Sequence, residues 1–563
     1  MGSETLWNRW TKHAERRPSD EAIVHWYAEA PPVRFTWESL VSSASCAARL
    51  LVDRGVKRGN VCALLLRHRP EFYPLYLGVS ALGAIPAVLA YPNARLHAEK
   101  FVHGLSGMAR HSGLDWVITE RDLDSVVGPL VGAPNSSVKG LMFPLEWGLV
   151  EARQTIAVPM IDADEPCLLQ HSSGTTGLQK AVVLSHRSVL DHVERYAEAI
   201  ALRPEDKVVS WLPLYHDMGL IAAFHLSLAK GLPMVQLDPF EWVLAPGILL
   251  DAISREGGTL AWLPNFAYNL MADRVREDDI EGVRLDRVRL LVNCSEPVRA
   301  ESHQKFATRF APFGFNSNAL SACYAMAETT FAVTQTAIGA RPTEFLADRE
   351  TLARGLAIPA ADGRPARACV SSGRPIRGSE VKVVDPMGNV VPDGSVGEIW
   401  IRSDTMFSGY RNAPEETKKV FRGGWYQSGD LGFLLDGELF VTGRRKDIII
   451  VAGKNLFPED VEDAVGSVPG VLPGRVVAFA VDDARAGTET VALIAETDVA
   501  DEKGRNNLRI DIARSGMAID VTIGQIHLAP PRWLVKSSSG KLARHANRER
   551  LLTGALEGVW RKE

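Results

Sequence analysis

Short apolar runs alternate with helical patterns along most of this chain, and this alternation restricts the fold more than any other feature. The strand-like runs include VCALLL at 61–66, AVLAY at 87–91, AVVL at 181–184 and VRLLV at 288–292. Strands that alternate with helices are typical of largely parallel sheets, because a parallel pair needs a crossover of about a dozen residues or more. The sequence therefore predicts α/β architecture.

The pattern changes after residue 373, where short strand-like runs are separated by turn residues. Asp436-Gly437, between FLL and ELFV, predicts a β-hairpin. A basic segment at 443–447 (GRRKD) follows, and a new apolar run begins after it. Because 563 residues exceed what one hydrophobic core usually supports, we expect a large N-terminal domain at 1–443, with parallel-type sheets and a β-rich subdomain, and a small α+β domain at 448–563.

Charge and composition exclude several classes of function. The chain has 63 basic and 68 acidic side chains, a net charge of −5, which gives no broad electrostatic reason to bind nucleic acid or an anionic membrane. Its six cysteines include no CxxC pair, so neither a zinc site nor a disulfide framework is expected. The N-terminus lacks the apolar core of a signal peptide, and Pro74 and Pro86 interrupt the most apolar stretch, 72–90, which we interpret as a buried helix followed by a strand. We therefore expect a cytoplasmic protein without a membrane span.

A segment rich in glycine and hydroxyl side chains lies between two strand-like runs, at 172–180 (SSGTTGLQK). Glycines let the backbone approach phosphate oxygens, hydroxyls donate hydrogen bonds to them, and a lysine adds positive charge. The spacing differs from that of a Walker A loop, and a flexible surface loop is the alternative. The predicted phosphate-binding residues are Ser172, Ser173, Gly174, Thr175, Thr176, Gly177 and Lys180.

This loop resembles the signature loop of the adenylate-forming superfamily, which includes acyl-CoA synthetases, firefly luciferase and nonribosomal peptide adenylation domains. Gln179 and Ala181 flank Lys180 where that family commonly has proline and glycine. Five further segments resemble family motifs in the family's order, the last ending at Arg544. The resemblance implies ATP and Mg²⁺ as cofactors, and a large domain followed by a small mobile one with a hinge at 444–447.

The segment 324–329 (YAMAET) resembles the family motif that holds the metal on ATP. By this resemblance Glu328 would bind Mg²⁺, for which a carboxylate oxygen is a suitable ligand. Thr329 would contact the α-phosphate, and Tyr324 would help to bind the nucleotide. Ala325 replaces the family's glycine. Taken alone, a glutamate is more often a solvated surface charge.

The segment 293–297 (NCSEP) resembles the family's adenine-binding turn. The resemblance implies nucleotide contacts by Ser295, Glu296 and Pro297. Cys294 stands where the family has glycine, and this change would either narrow the adenine slot or shift the turn.

Two later segments resemble motifs that contact the ribose and the reacting groups. By this resemblance Asp430, in 425–430 (WYQSGD), and Arg444 would contact the ribose hydroxyls. Lys541, in 536–544 (KSSSGKLAR), would bridge the substrate carboxylate and the α-phosphate, a useful charge because both reactants are anions. Taken alone, a Ser/Gly/Lys segment near a terminus is most often solvated.

Two further segments resemble fatty acyl-AMP ligases: WLPLYHDMGL at 211–220, and a long stretch at 338–375 similar to the insertion that separates those ligases from acyl-CoA synthetases. The resemblance implies transfer of the acyl group to the phosphopantetheine thiol of an acyl carrier protein. For the insertion, a surface loop without effect on the acceptor is the alternative. A fatty acid would need an apolar tunnel, lined from 211–220 and 222–228, although a filled core has the same pattern. The expected substrate-binding residues are His216, Asp217, Met218 and Gly219. For His216, a packing or hydrogen-bonding role is the alternative.

The expected reaction is ATP-dependent activation of a carboxylic acid, in this branch a fatty acid, to acyl-AMP with release of pyrophosphate. The nearest alternative is an acyl- or aryl-CoA ligase, which would form a CoA thioester. An alternative from another class is an inactive nucleotide-binding regulator. The altered residues of the phosphate loop favour it, whereas the presence of Glu328, Asp430, Arg444 and Lys541 argues against it.

Overall fold

The computed structural model describes most of the chain as two compact units. The described residues are 4–92, 98–134, 136–147, 159–172, 180–451, 454–483, 488–536, 542–553 and 559–560. The first unit contains Met1–Pro342, Ser372–Glu380 and Ile401–Tyr426, and the second contains Thr343–Ser371, Val381–Trp400 and Gln427–Glu563. The boundaries 1–443 and 448–563 and the hinge at 444–447 stay predictions.

A nine-stranded sheet lies in the first unit. In spatial order its strands are β17 (Arg374–Pro375), β14 (Ala332–Gln335), β13 (Leu320–Ala325), β12 (Leu290–Asn293), β11 (Leu260–Leu263), β9 (Val208–Ser210), β10 (Met234–Gln236), β1 (Glu21–His25) and β2 (Val33–Thr36). The six strands from β13 to β1 are parallel, and the outer pairings are antiparallel. The predicted parallel arrangement is confirmed for the centre of this sheet.

A seven-stranded sheet also lies in the first unit. Its order is β20 (Gly409–Tyr410), β8 (Lys180–Ser185), β7 (Pro166–Ser172), β4 (Ile85–Val88), β3 (Val61–Leu65), β5 (Trp116–Thr119) and β6 (Gly140–Met142). The strands from β7 to β6 are parallel. In contrast, β8 runs antiparallel to both of its neighbours, because the segment between β7 and β8 is too short for a parallel crossover.

Helices connect these strands, and several begin at side chains that cap the free backbone amides. The hydroxyl of Ser185, for example, accepts a hydrogen bond from the amide of Ser188 at 3.1 Å. The first-unit helices are α1 (Leu6–Arg16), α2 (Trp37–Asp53), α3 (Phe72–Ala81), α4 (Ala98–Met108), α5 (Asp124–Val127), α6 (His186–Ala199), α7 (Leu226–Lys230), α8 (Pro239–Leu244), α9 (Gly247–Glu256), α10 (Asn265–Arg274), α11 (Ala300–Phe310) and α13 (Pro414–Lys419).

The apolar stretch at 72–90 forms the buried helix α3 followed by the strand β4, which confirms the expectation for it. All five residues of β3 are buried, as expected for a parallel strand that is covered on both faces. None of the described helices is both long and apolar enough to cross a membrane.

The second unit contains α12 (Arg349–Ala353), α14 (Pro458–Gly466), α15 (Glu502–Met517) and α16 (Arg544–Leu552). Its small sheets are the antiparallel pairs β15 (Glu344–Asp348) with β16 (Ala366–Val370) and β24 (Ile449–Val451) with β25 (Lys454–Leu456), and the three strands β26 (Val476–Asp483), β27 (Thr488–Glu496) and β28 (Ile523–Ala529). Residues of the last three strands pack with α14 and α15 in one apolar cluster. This arrangement confirms an α+β C-terminal region.

A further five-stranded sheet has the order β18 (Ser379–Val384), β19 (Gly397–Ser403), β22 (Trp425–Leu435) and β21 (Phe421–Arg422), with β23 (Glu438–Arg444) also paired to β22. Asp436 and Gly437 connect β22 to β23 with φ angles of 51° and 78°. Two consecutive positive φ angles are typical of the tight turns that match the twist of a hairpin. The hairpin predicted at these two residues is confirmed.

Candidate active site

The predicted phosphate loop connects two antiparallel strands. The last pair of the ladder joins Ser172 of β7 to Lys180 of β8, so the two strands bring the ends of the loop together. The side chain of Ser172 and all of Ser173, Gly174, Thr175, Thr176 and Gly177 lie outside the described residues. Their phosphate contacts stay predictions.

Lys180, at the start of β8, lies beside an aromatic ring. Its Nζ atom is 4.6 Å from the ring centroid of Tyr410 and 3.6 Å from a carboxylate oxygen of Glu416. Tyr410 reaches this position because β20 pairs with β8, with Tyr410 opposite Val182. Tyr410 and Glu416 therefore hold Lys180 at the end of the phosphate loop, and the sequence predicted neither contact.

Glu328 is a buried carboxylate in the first unit. It lies in a 3₁₀ turn, Ala327–Thr329, directly after β13, and its exposed fraction is 9%. Its Oε1 atom accepts a hydrogen bond of 2.8 Å from the hydroxyl of Tyr410. Burial raises the pKa of the Glu328 carboxyl, and the hydrogen bond from Tyr410 only partly opposes this rise. A divalent cation at this carboxylate would compensate the buried charge.

Thr329 is fully buried next to this carboxylate. Its hydroxyl lies 3.0 Å from the carbonyl oxygen of Met326 and 2.9 Å from that of Phe331, and it donates to these backbone acceptors. In this conformation the hydroxyl stabilises the turn, and its contact with an α-phosphate stays a prediction.

Thr330, which the motif comparison did not single out, has a φ of 72°. A β-branched residue rarely adopts this left-handed conformation, which stores strain and is most frequent at functional sites. Its hydroxyl donates to the carbonyl oxygen of Thr405 at 2.8 Å. The turn that carries Glu328 is therefore strained and is held in place by a neighbouring segment.

The predicted adenine turn follows β12. Ser295 has a φ of 71°, and its hydroxyl lies 3.8 Å from the sulfur of Met218 and 3.8 Å from that of Cys294. The Glu296 carboxylate accepts a hydrogen bond of 3.0 Å from the amide of Phe266 in the first turn of α10. The turn thus contacts the segment that contains the predicted substrate-binding residues.

The backbone around the turn is fixed by buried polar side chains. The side-chain nitrogen Nδ2 of Asn293 donates to the side-chain oxygen of Asn265 at 3.0 Å and lies 3.0 Å from Nε2 of His303. Pro297 lies in the loop between this turn and α11, and Tyr324 lies near the end of β13 and is buried. Cys294 is fully buried, so it packs in the interior behind the turn.

In the segment 216–219 (HDMG), the side chain of Asp217 contacts both of its neighbours in the chain. The carboxylate of Asp217 accepts a hydrogen bond of 2.8 Å from the amide of Met218 and lies 2.8 Å from Nδ1 of His216. It caps the π-helix Met218–His225, a rare element that often marks functional sites. A side chain at Gly219 would come within 2.4 Å of the carbonyl oxygen of Pro213, so glycine is required there.

The segment that follows is packed core. All eight residues of Met218–His225 are buried, and the ring of Phe224 lies 5.4 Å from that of Tyr76 and 6.3 Å from that of Tyr73. Of the two alternatives for 222–228, tunnel wall and filled core, these contacts favour a filled core.

Asp430 and Arg444 are brought together in the second unit. They lie opposite each other on β22 and β23, with 3.4 Å between Nε of Arg444 and Oδ1 of Asp430. The arginine side chain is half exposed, whereas that of Asp430 is 15% exposed. The Arg444 guanidinium is a charged hydrogen-bond donor, and the Asp430 carboxylate is a charged acceptor. Such a pair at one edge of the hairpin suits the recognition of two neighbouring hydroxyl groups.

The segment predicted as the hinge, 444–447, begins at Arg444. Burial lowers the pKa of Lys446 to about 8, and the charge of Arg444 contributes to the shift. The next residue, Asp447, forms an ion pair of 2.8 Å with Arg544 at the start of α16. Arg544 also contacts Glu459 and Glu462 on α14, at 3.1 and 2.9 Å.

Lys541 lies outside the described residues, and its role stays a prediction. The residues on either side of 537–541 are paired with each other through a bridge between Lys536 and Leu542. The amide of Ala543 also donates to the carbonyl oxygen of Val535 at 3.0 Å. The described residues that flank 537–541 therefore run antiparallel to each other.

Most of the stretch predicted as an insertion, Thr343–Ser371, is folded in the second unit. It supplies β15, α12 and β16, and Arg367 on β16 is buried, with an exposed fraction of 6%. Its guanidinium forms an ion pair of 2.9 Å with Asp460 on α14, and Arg349 lies 3.7 Å from the same carboxylate. These contacts join the stretch to α14, which argues against the alternative of a surface loop.

Comparisons with known proteins agree with this arrangement. The AMP-binding enzyme family matches residues 10–411. The chain is 31% identical to a Caulobacter vibrioides protein provisionally named acyl-CoA synthetase, over 92% of this chain and 90% of that one. It is 30% identical to a Mycobacterium tuberculosis 4-hydroxyphenylalkanoate adenylyltransferase, over 98% and 92% of the two chains, and 30% identical to a Mycobacterium marinum long-chain-fatty-acid–AMP ligase, over 96% of each.

A solved structure from a study of fatty acyl-adenylate ligases of E. coli and L. pneumophila superposes with a TM-score of 0.90 at 28% identity, covering 98% of both chains. The chain belongs to the AMP-binding enzyme family, with the fold of the fatty acyl-adenylate ligases.

Proposed function

We propose that this protein activates a fatty acid with ATP, forming acyl-AMP and pyrophosphate, and then transfers the acyl group to the phosphopantetheine thiol of an acyl carrier protein. One observation carries the proposal. The buried carboxylate of Glu328 and the ammonium of Lys180, which borders the predicted phosphate loop, meet at the same side chain, Tyr410. A metal ligand and a phosphate ligand that contact the same side chain suit a nucleoside triphosphate.

The donor set fits magnesium that arrives with ATP. Mg²⁺ is usually bound by one or two carboxylates together with substrate phosphates and water. No cluster of three or more His, Cys, Asp or Glu that could hold a metal by itself occurs in the part of the chain that the structure describes. Glu328 would hold the ion, which supplies charge neutralisation at the phosphates when bound.

In the first step, a carboxylate oxygen of the fatty acid attacks the α-phosphorus of ATP. The bond between the α-phosphorus and the bridging oxygen breaks, and pyrophosphate leaves with the electron pair. Lys180, the loop residues 172–177 and Lys541 would neutralise the negative charge that gathers in the transition state. Asp430 and Arg444 would hold the ribose hydroxyls.

In the second step, the thiol sulfur attacks the carbonyl carbon of acyl-AMP. The bond from that carbon to the phosphate oxygen breaks, AMP leaves, and the thiol proton passes to solvent. Rotation of the small domain about Lys446 would withdraw Lys541 between the two steps and open a path for the thiol.

The choice of substrate rests on the relatives. Named relatives at 30% identity act on long-chain fatty acids and on 4-hydroxyphenylalkanoates, both of which are carboxylic acids with an apolar body. A fatty acid is the substrate class proposed here. His216, Asp217, Met218 and Gly219 would border it, because Met218 touches the adenine turn through Ser295.

The test is mass spectrometry after incubation with ATP, Mg²⁺ and a pool of fatty and aryl-alkanoic acids, with CoA and a phosphopantetheinylated acyl carrier protein as competing acceptors. Acyl-AMP together with acylated carrier protein, and little acyl-CoA, is the expected result. Absence of any acyl-AMP from a folded protein that binds ATP would overturn the proposal and favour a nucleotide-binding regulator.

A second function, acyl-CoA ligation, is favoured by one relative, the C. vibrioides protein provisionally named acyl-CoA synthetase. The same mixture distinguishes the two. Acyl-CoA as the main thioester would show that the acceptor is CoA, and the adenylation step of the proposal would stand.

A further inference from the structure

Tyr410 belongs to a short segment that touches two parts of the candidate site at once. On one side, the amide of Phe407 donates to the carbonyl oxygen of Glu328 at 2.8 Å. On the other side, the amides of Ser408 and Arg411 donate to carbonyl oxygens of β8 at 2.9 Å each. The segment 405–411 therefore links the Glu328 turn to the strand that begins at Lys180.

The side chain of Tyr410 also contacts both parts of the candidate site. Its hydroxyl donates to the Glu328 carboxylate at 2.8 Å, and its ring faces the Lys180 ammonium at 4.6 Å, a distance at which a cation is attracted to an aromatic face. The hydroxyl of Tyr426 lies 3.4 Å from that of Tyr410. One side chain thus contacts a predicted metal ligand and a predicted phosphate ligand.

The position of Tyr410 is itself fixed. Its exposed fraction is 6%, its amide donates to the hydroxyl of Thr417 at 2.9 Å, and the ring of Phe407 packs edge-on against it at 4.9 Å. A phenol held on so many sides has little freedom to turn. It can therefore fix the orientation of the groups that it touches, as outer partners of metal ligands do.

We propose that Tyr410 is a positioning residue that sets the Glu328 carboxylate and the Lys180 ammonium relative to each other before magnesium and the triphosphate bind. This inference rests on the proposed adenylation function and extends it to a residue that touches neither reactant. The hydroxyl orients the carboxylate, and the ring orients the lysine. The two parts of the side chain have separable effects.

Tyr410→Phe removes the hydroxyl and keeps the ring. We expect the Mg²⁺ concentration for half-maximal binding of α,β-methylene-ATP, measured by titration calorimetry on the full chain, to rise ~10-fold or more, the usual range for loss of an outer partner. The affinity for AMP without Mg²⁺ should stay within ~2-fold, because no metal takes part. Tyr410→Leu, which also removes the ring, should additionally weaken binding of the analogue at saturating Mg²⁺.

Tyr73→Phe is the matched control, because it also removes a buried phenol hydroxyl, one that lies 2.8 Å from Nδ1 of His25. It should leave the Mg²⁺ dependence unchanged. A Tyr410→Phe protein with wild-type thermal stability and wild-type Mg²⁺ dependence would overturn the inference, even if the wild type forms acyl-AMP. If Tyr410→Phe shifts the Mg²⁺ dependence but the wild type forms no acyl-AMP, the positioning role is supported and the proposed reaction is wrong.

Discussion

Arg544 forms an ion pair of 2.8 Å with Asp447, so the start of the last described helix is joined to the segment predicted as the hinge. The same guanidinium also contacts Glu459 and Glu462. Burial raises the pKa of the Glu462 carboxyl, and the charge of Arg544 opposes this shift. The arginine therefore compensates three carboxylates that would otherwise repel one another.

The first prediction follows from this cluster. Arg544→Ala leaves three partly buried carboxylates without this counterion, and the free energy of unfolding should fall by ~1.5–3 kcal/mol, the usual range for hydrogen bonds to charged groups. Urea denaturation at pH 7.5 measures the loss. Arg514→Ala, which removes an exposed ion pair with Asp511, is the control and should change stability by less than ~0.5 kcal/mol. Equal effects of both substitutions would contradict the account of this cluster.

The second prediction concerns the pair Asp430 and Arg444. If these side chains bind the ribose, the wild type should prefer ATP over 2′-deoxy-ATP, and Asp430→Asn should lose most of this preference. We expect kcat/KM for ATP to fall ~10- to 100-fold in Asp430→Asn, the effect of losing a hydrogen bond to a charged group. Steady-state kinetics with both nucleotides measures this change. A variant that kept the full preference for ATP would show that the pair does not contact the ribose.

The third prediction concerns the acceptor. Arg367 ties the insertion-like stretch to α14 through Asp460, and we expect this tie to limit the use of CoA by restraining the C-terminal region. Arg367→Ala should raise the ratio of acyl-CoA to acylated carrier protein several-fold, measured with both acceptors present. Arg354→Ala, an exposed residue of the same stretch that pairs with Glu350, is the control. An unchanged ratio in Arg367→Ala would leave the ion pair without a role in acceptor choice.

The fourth prediction concerns pH. Burial lowers the pKa of His192 to about 3, and the charge of Arg195 contributes to the shift. The Nε2 atom accepts a hydrogen bond of 3.1 Å from the backbone amide of Ala332, so the neutral ring carries its proton on Nδ1 and donates it to Thr405. The unfolded histidine has a pKa of about 6.5. The contribution of the neutral ring to stability is complete above about pH 6.5, and it is lost as the pH falls toward the folded pKa, because the unfolded state binds the extra proton.

Below pH 6.5 the free energy of unfolding should therefore decrease by up to ~1.4 kcal/mol per pH unit for this one residue. His192→Gln should reduce the slope between pH 6.5 and 5, whatever its effect on absolute stability. Urea midpoints at several pH values measure both slopes. Parallel curves for the two proteins would contradict the assignment of a neutral buried ring.

Some of the site could be predicted from sequence because its parts are local. The turn at Asp436 and Gly437 fixes the hairpin, and the hairpin brings Asp430 close to the far strand. However, the turn alone would place Asp430 opposite Gly443. The register shifts between Leu431 and Gly432, and this irregularity moves Arg444 opposite Asp430.

A side chain at Gly432 would approach the carbonyl oxygen of Phe440 to 2.3 Å, so this glycine permits the close pairing next to the shift. A lone glycine in a strand is too weak a signal to predict a bulge at one particular step. The sequence therefore predicts that Asp430 lies close to the far strand of the hairpin, but not that Arg444 is the residue opposite it.

Tyr410 could not be predicted at all. It is 82 residues from Glu328 in the chain, and the two meet only because β20 joins the edge of the seven-stranded sheet beside β8. No periodicity along the chain shows which strand will be the neighbour of Tyr410. Contacts of this kind depend on sheet order, which patterns along the chain do not specify.

The acid-dependent exchange of labelled pyrophosphate into ATP tests the central claim most directly, because it reports reversible formation of acyl-AMP without any acceptor. The account predicts exchange that requires both a fatty acid and Mg²⁺, and a decrease of ~10²–10³-fold in Lys541→Ala, the effect of losing one charge contact in the transition state. Exchange that is absent with every acid tested, in a folded protein that binds the ATP analogue, would contradict the assignment as an adenylating enzyme. Undiminished exchange in Lys541→Ala would contradict the role of that lysine.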